Sequence, residues 1–157
     1  MARARRALSL AAAAVAALTL AGVAQGKSFD LPQANVAVHV AKDGSLVVDE
    51  DITFAFSGPF SGAYRDIPLR PGESIDQIAL TEGGRAYRPG GCVELGCSDA
   101  AGTYGTTRVG DVQRIVWHYD ASDELRTFHV HYRLRGVAVA YDDVVDVDLK
   151  VWGDEWE

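Results

Sequence analysis

Apolar and polar residues alternate with a period of two through much of the chain from residue 35 onward. Val36, Val38 and Val40 alternate with Ala37, His39 and Ala41. After Lys42-Asp43-Gly44-Ser45 the alternation resumes as Leu46, Val48, Ile52, Phe54 and Phe56 against Val47, Asp49, Asp51, Thr53 and Ala55. Such patterning on both sides of an Asp-Gly turn predicts a β-hairpin whose even positions face a core. Glu50 falls on the apolar parity, and a bulge or strand-edge position is expected to bring it to solvent. A buried functional carboxylate is the sharper alternative.

Further strands follow. Ile75, Ile78 and Leu80 predict a short one that turns at Glu82-Gly83-Gly84-Arg85, and residues 89–110 are loop-rich, with six glycines and both cysteines. Residues 113–119 place Ile115, Trp117 and Tyr119 on one face. Residues 120–125 form a turn, and residues 126–135 return with Phe128, Val130, Tyr132 and Leu134 inward. Val137, Val139 and Tyr141 continue the pattern, and Val145, Val147, Leu149 and Val151 oppose Asp146, Asp148 and Lys150. After the first 26 residues no stretch keeps a helical period over three turns, so the fold class is all-β: an antiparallel β-sandwich or an open barrel, after an N-terminal signal helix. Its inner faces are expected to carry Phe54, Phe56, Trp117, Phe128 and Tyr132, whose size dominates burial.

Residues 57–70, Ser-Gly-Pro-Phe-Ser-Gly-Ala-Tyr-Arg-Asp-Ile-Pro-Leu-Arg, break the alternation. Turn formers mixed with large apolar residues predict a packed crossover after the first hairpin, with Tyr64, Ile67 and Leu69 buried. Arg65 is expected to fork to a carboxylate near Asp66 or in the Asp142-Asp143 turn and so lock the crossover to the sheet.

The beginning of the chain reads differently. Arg3, Arg5 and Arg6 precede a small-apolar run over residues 7–23, and cleavage after Ala24 or Gly26 fits a signal peptide over residues 1–26. An uncleaved N-terminal anchor is the alternative. Either way residues 27–157 are expected on the extracytoplasmic side. Without the leader, twelve basic residues face twenty-two acidic ones, a surface that argues against nucleic-acid partners. The ending Trp152-Gly153-Asp154-Glu155-Trp156-Glu157 stops directly after an apolar strand, which reads as a domain incomplete at its C-terminus.

Several phrases, in order, carry a resemblance. They are Ser28-Phe29-Asp30, the hairpin through Asp43-Gly44-Ser45-Leu46, Tyr64-Arg65-Asp66-Ile67-Pro68, Arg126-Thr127-Phe128 with Tyr132, Tyr141-Asp142-Asp143, and the Trp152–Trp156 phrase. The chain resembles the N-terminal ectodomain of the membrane proteins grouped as domain of unknown function 2207. The resemblance implies a signal peptide, an extracytoplasmic β-rich domain and membrane anchoring through a C-terminal region missing from this chain. It carries over no catalytic residue.

Candidate chemistry is sparse. In an exported chain Cys92 and Cys97 are expected to form a local disulfide, since a redox Cys-x-x-Cys spacing and further zinc ligands are both missing nearby. His129 and His131 share one face of a strand. If the preceding strand is its neighbour, His118 joins them, and three imidazoles could hold zinc with an open position. The arrangement is similar to that of α-carbonic anhydrases, and nothing else in the chain matches that family. Asp142, Asp143, Asp146 and Asp148 form the densest acidic run, readable as a calcium site or a solvated face. No nucleophile elbow, Walker loop or His-Glu-x-x-His motif is present. The pattern therefore favours a non-enzymatic interaction module of a membrane-anchored cell-envelope protein, binding protein or glycan. The alternative is a metal-dependent hydrolase or lyase using His118, His129 and His131.

Overall fold

The structure, a computed structural model, describes residues 26–149. The leader up to residue 25 and the ending from residue 150 lie outside the described residues. The described residues form eleven strands: β1 (Ser28–Val40), β2 (Leu46–Ser57), β3 (Pro59–Pro68), β4 (Ser74–Glu82), β5 (Arg85–Ala86), β6 (Arg88–Pro89), β7 (Thr103–Val109), β8 (Val112–Ser122), β9 (Leu125–Arg135), β10 (Ala138–Ala140) and β11 (Val145–Val147). One sheet runs β1-β2-β9-β4-β5 and a second runs β3-β8-β7-β6, while β10 and β11 form a separate hairpin. Neither large sheet closes on itself, so the fold is a sandwich.

Its frame is one antiparallel ribbon folded over. β2 pairs with β9 as far as Ala55 opposite Leu125, and β3 pairs with β8 from Pro59 opposite Ser122. Both strands pass from one sheet to the other at the same corner. Gly58, at φ 82°, makes the bend in the first strand, and Asp123, at φ 52°, makes it in the second. The Gly58 amide donates to Asp123 Oδ1 at 2.8 Å, and the Phe56 amide donates to the Glu124 carbonyl at 2.9 Å. A left-handed residue at the bend is what lets an extended strand change sheets within one position.

The core between the layers is apolar and aromatic. Phe54, Phe56, Trp117, Tyr119, Phe128, Val130 and Tyr132 are buried, as the alternation predicted. Trp117 and Tyr119 of β8 lie 5.6 and 4.8 Å from Phe128 of β9, ring centre to ring centre, across the two sheets. Each such side chain contributes about 1.5–3 kcal/mol on full burial. The Trp117 indole N–H has no acceptor among the described residues.

Several expectations change. Residues 57–70 are mostly a regular strand, β3, which continues β2 into the second sheet. Ile67 and Leu69 are buried, but Tyr64 is 51% exposed. The register explains it: Tyr64 pairs with Val116 on the outer face, whereas Arg65 pairs with Ile115 on the inner face. Glu50 does not escape to solvent. It is buried at 2% exposure and takes two hydrogen bonds from Arg65, from Nε at 3.0 Å and Nη2 at 3.1 Å, plus one from the Tyr132 hydroxyl at 2.8 Å. Burial, with the Glu50 carboxylate alongside, pushes the Tyr132 hydroxyl pKa well up. Arg65 does lock the crossover to the sheet, yet its carboxylate comes from β2 and not from the Asp142-Asp143 turn.

The two sides of the sandwich differ. On one side the chain crosses between layers: the Tyr87 amide donates to the Leu80 carbonyl, the Arg88 amide donates to the Gly102 carbonyl, and Tyr87 is buried. On the other side, β1 and β3 are both outermost strands. The expectation that Val38 and Val40 face a core fails there. They are 40% and 53% exposed although they pair with buried Val48 and Leu46. Val139, Tyr141 and Val145, on or beside the outlying hairpin, are exposed as well.

Candidate functional site

The outer face of the second sheet carries a groove, built on a covering loop. Between β6 and β7 the chain turns back over β7 and β8, with the Gly91 amide donating to the Tyr104 carbonyl at 2.9 Å. Gly105 makes this approach possible. A Cβ there would lie 2.1 Å from the Gly91 carbonyl oxygen, so any other residue would force the loop off the sheet. The Cys92–Cys97 disulfide closes the loop. Asp99 holds its base, accepting from the Cys92 amide at 2.9 Å and the Ala100 amide at 2.7 Å. Those two backbone donors, Ala100 foremost, hold the Asp99 carboxyl below the usual range.

Beneath the loop His118 is buried at 2% exposure, its Nε2 3.0 Å from the Cys92 carbonyl oxygen and 3.7 Å from the Cys92 Sγ. Beside the loop runs a groove of about 390 Å³, between the disulfide and strand β3, lined among others by Lys27, Phe60, Tyr64, Leu95, Cys97 and His118. Tyr64 and Leu95 are 51% and 56% exposed. The Tyr64 ring is held from below by the Arg114 guanidinium, 4.8 Å from its centre. Asp66 fixes Arg114 in turn, accepting from Nε at 2.7 Å and Nη2 at 2.6 Å. Tyrosine and arginine are residue types enriched at protein-binding hot spots, and here Tyr64 and Arg114 form one cation–π pair at the groove.

The three histidines do not come together. His118 stands on β8 and His129 and His131 on β9, and these strands belong to different sheets. Because the inward residues of both strands share one core, the histidines point out of opposite faces of the sandwich. The expected cross-strand placement fails because the turn at Asp123 and Glu124 is a change of sheet and not a hairpin. His129 and His131 pair instead with the carboxylates of β2: His131 Nδ1 lies 2.7 Å from Asp49, and His129 lies 2.8 Å from Asp51 and 3.2 Å from Asp49.

Among the described residues, the ligand-type atoms that converge are those of Cys92, Cys97 and His118, within 4.8 Å of one another. The sulfurs are joined to each other, so they do not serve as thiolate ligands in this state. The acidic run is dispersed: Asp148 pairs with Arg70 at 3.0 Å, and Asp142 and Asp143 sit exposed at the tip of the outlying hairpin. The groove itself was not foreseen. Its signals were Gly105, whose packing role needs the loop above it, and Tyr64, whose parity depends on the bulge between Phe60 and Gly62.

The family described as "Predicted membrane protein (DUF2207) N-terminal domain" matches residues 30–157, and the chain belongs to it. No curated protein and no solved structure matches the chain. Among the described residues no helix is long and apolar enough to cross a membrane.

Proposed function

From that membership we propose that residues 27–157 form an extracytoplasmic interaction module of a membrane-anchored cell-envelope protein, and that the groove between Tyr64 and the disulfide loop holds a segment of a partner protein. The membrane association follows from the family. The leader pattern supports the extracytoplasmic side. The observation that carries the binding role is Tyr64, an aromatic residue held half-exposed by Arg114 on one lip of the groove. A protein partner fits better than a glycan because the groove also presents Leu95, an aliphatic side chain with nothing to offer sugar hydroxyls.

The test is site-specific photo-crosslinking from position 95 of the full chain in intact cells. A discrete protein adduct that Tyr64→Ala abolishes while the protein stays folded supports the reading. Absence of any adduct, or adducts indifferent to Tyr64→Ala, overturns it. Retention on a glycan column that depends on Tyr64 would change the partner class.

A further inference from the structure

The two sulfurs of the disulfide loop are held unequally. On the Cys92 side the Gly91 amide donates to the Tyr104 carbonyl at 2.9 Å and the Cys92 amide donates to Asp99 Oδ2 at 2.9 Å. That end is pinned to β7 and to the base of the loop. Cys97 sits on the outer arc, where residues 94–96 and 98 are exposed, and its amide donates within the loop to the Glu94 carbonyl at 3.2 Å. Cys97 lines the groove together with Leu95 and Tyr64, whereas Cys92 does not.

Under the pinned sulfur lies a buried imidazole. His118 Nε2 is 3.0 Å from the Cys92 carbonyl oxygen and 3.7 Å from Cys92 Sγ. A carbonyl only accepts, so the ring hydrogen is on Nε2, and the same N–H is within reach of the sulfur. A disulfide sulfur is a weak acceptor and gains little from that donor. A thiolate at the same position would gain much more, because a charge-assisted hydrogen bond is stronger and the site is shielded from water. In Cys-x-x-Cys sites a helix start stabilises the thiolate. Here the His118 imidazole supplies the donor.

We infer that Cys92–Cys97 is a thiol–disulfide exchange site, and that the partner segment in the groove presents a cysteine thiol to it. The partner half of this inference rests on the reading of the groove given above. The partner thiol loses its proton to solvent, and the thiolate attacks Cys97 Sγ. A new disulfide joins Cys97 to the partner while the Cys92–Cys97 bond breaks. Its electron pair leaves on Cys92 as a thiolate that accepts from the His118 Nε2–H. Return attack by Cys92 on Cys97 closes the loop again and frees the partner, so the cycle consumes neither oxidant nor reductant. The domain thereby holds its partner by a reversible covalent bond.

Reduced glutathione tests the site without a partner. The oxidised full chain is exposed briefly, stopped with excess N-ethylmaleimide and mapped by peptide mass. Glutathione is expected on Cys97 and maleimide on Cys92, with the preference lost in urea. A disulfide that stays closed, glutathione on Cys92, or an even split in the folded chain overturns the site. His118→Leu should slow opening about tenfold, the loss of one hydrogen bond to a charge. His118→Gln, which keeps an N–H donor, should recover part of that rate. Equal or faster opening in His118→Leu, or no recovery in His118→Gln, overturns the role of His118. In intact cells stopped with N-ethylmaleimide, a dithiothreitol-sensitive adduct at Cys97 should carry the same partner as the photo-crosslink from position 95. A photo-crosslinked partner without that disulfide adduct leaves the groove reading standing and overturns covalent capture. If position 95 crosslinks nothing, the groove reading falls and the glutathione result alone decides the exchange site.

Discussion

The two sides of the sandwich are built from strands of similar alternation and end in opposite conditions. On the β4 side, Leu80 is 1% exposed because the chain crosses between layers at Tyr87. On the β1 side, Val40 has the same parity logic and is 53% exposed, because no described strand lies beneath it. Period-two patterning therefore reports which face of a strand is apolar, and a second layer decides whether that face is covered. Between the sides lies the Glu50–Arg65–Tyr132 group, charged and buried in the middle of the core.

The largest effect is expected at that boundary. Glu50→Ala removes the buried carboxylate that Arg65 and Tyr132 share and should cost about 3–5 kcal/mol, read from urea unfolding. Replacing Glu50 and Arg65 together by Leu and Met should recover most of the loss. If the double variant is as unstable as the single one, the pair is not acting as a charge pair. Next come the sides themselves. Leu80→Ala should cost about 2–5 kcal/mol, whereas Val40→Ala should cost about 1 kcal/mol or less. Equal costs would erase the contrast.

Cutting the groove loop open by Cys92→Ser should cost about 2 kcal/mol on the chain-entropy account. The loss should fall on the loop and leave core amide protection unchanged.

A pH effect belongs to the closed side. Burial pushes the Glu82 carboxyl up, but hydrogen bonds from Arg126 and Tyr87 outweigh it and hold the pKa below the usual range. A folded-state value below the unfolded one gives stability that is present above the unfolded pKa and lost as pH falls through the folded one. Glu82→Gln should therefore flatten the acid limb of the stability profile, and an unchanged limb would remove Glu82 from the closure. The smallest effect is expected at the exposed Arg70–Asp148 pair, where Asp148→Asn should change stability by no more than about 1 kcal/mol.

The family phrase Tyr64-Arg65-Asp66-Ile67-Pro68 shows how far the sequence could be read. Its importance was visible, and so were the burial of Ile67 and the structural role of Arg65. The side taken by Tyr64 was not, because one bulge at Phe60 to Gly62 resets parity and leaves no mark in composition. Glu50 was misplaced for a related reason: a carboxylate on an apolar parity is welcome only beside a cation, and that cation lies fifteen residues away on another sheet. The histidine placement failed on connectivity. Asp123-Glu124 looks like a hairpin turn, and only the neighbouring Gly58 bend makes it a change of sheet. The aromatic core strands, by contrast, were legible because large inward side chains at alternate positions admit one arrangement.

The folded ribbon also sets the order of events when the chain first acquires structure. Its pairs join residues 46–68 to residues 112–135, so most stabilising contacts wait on closure of long loops. The hairpin of β1 and β2 can form locally within microseconds, but two strands alone are marginal in water. Until residue 135 is available, β2 and β3 lack the partners β9 and β8 that they pair with in the two sheets. Most of the contacts that hold the fold are therefore expected to form only once β8 and β9 are both available.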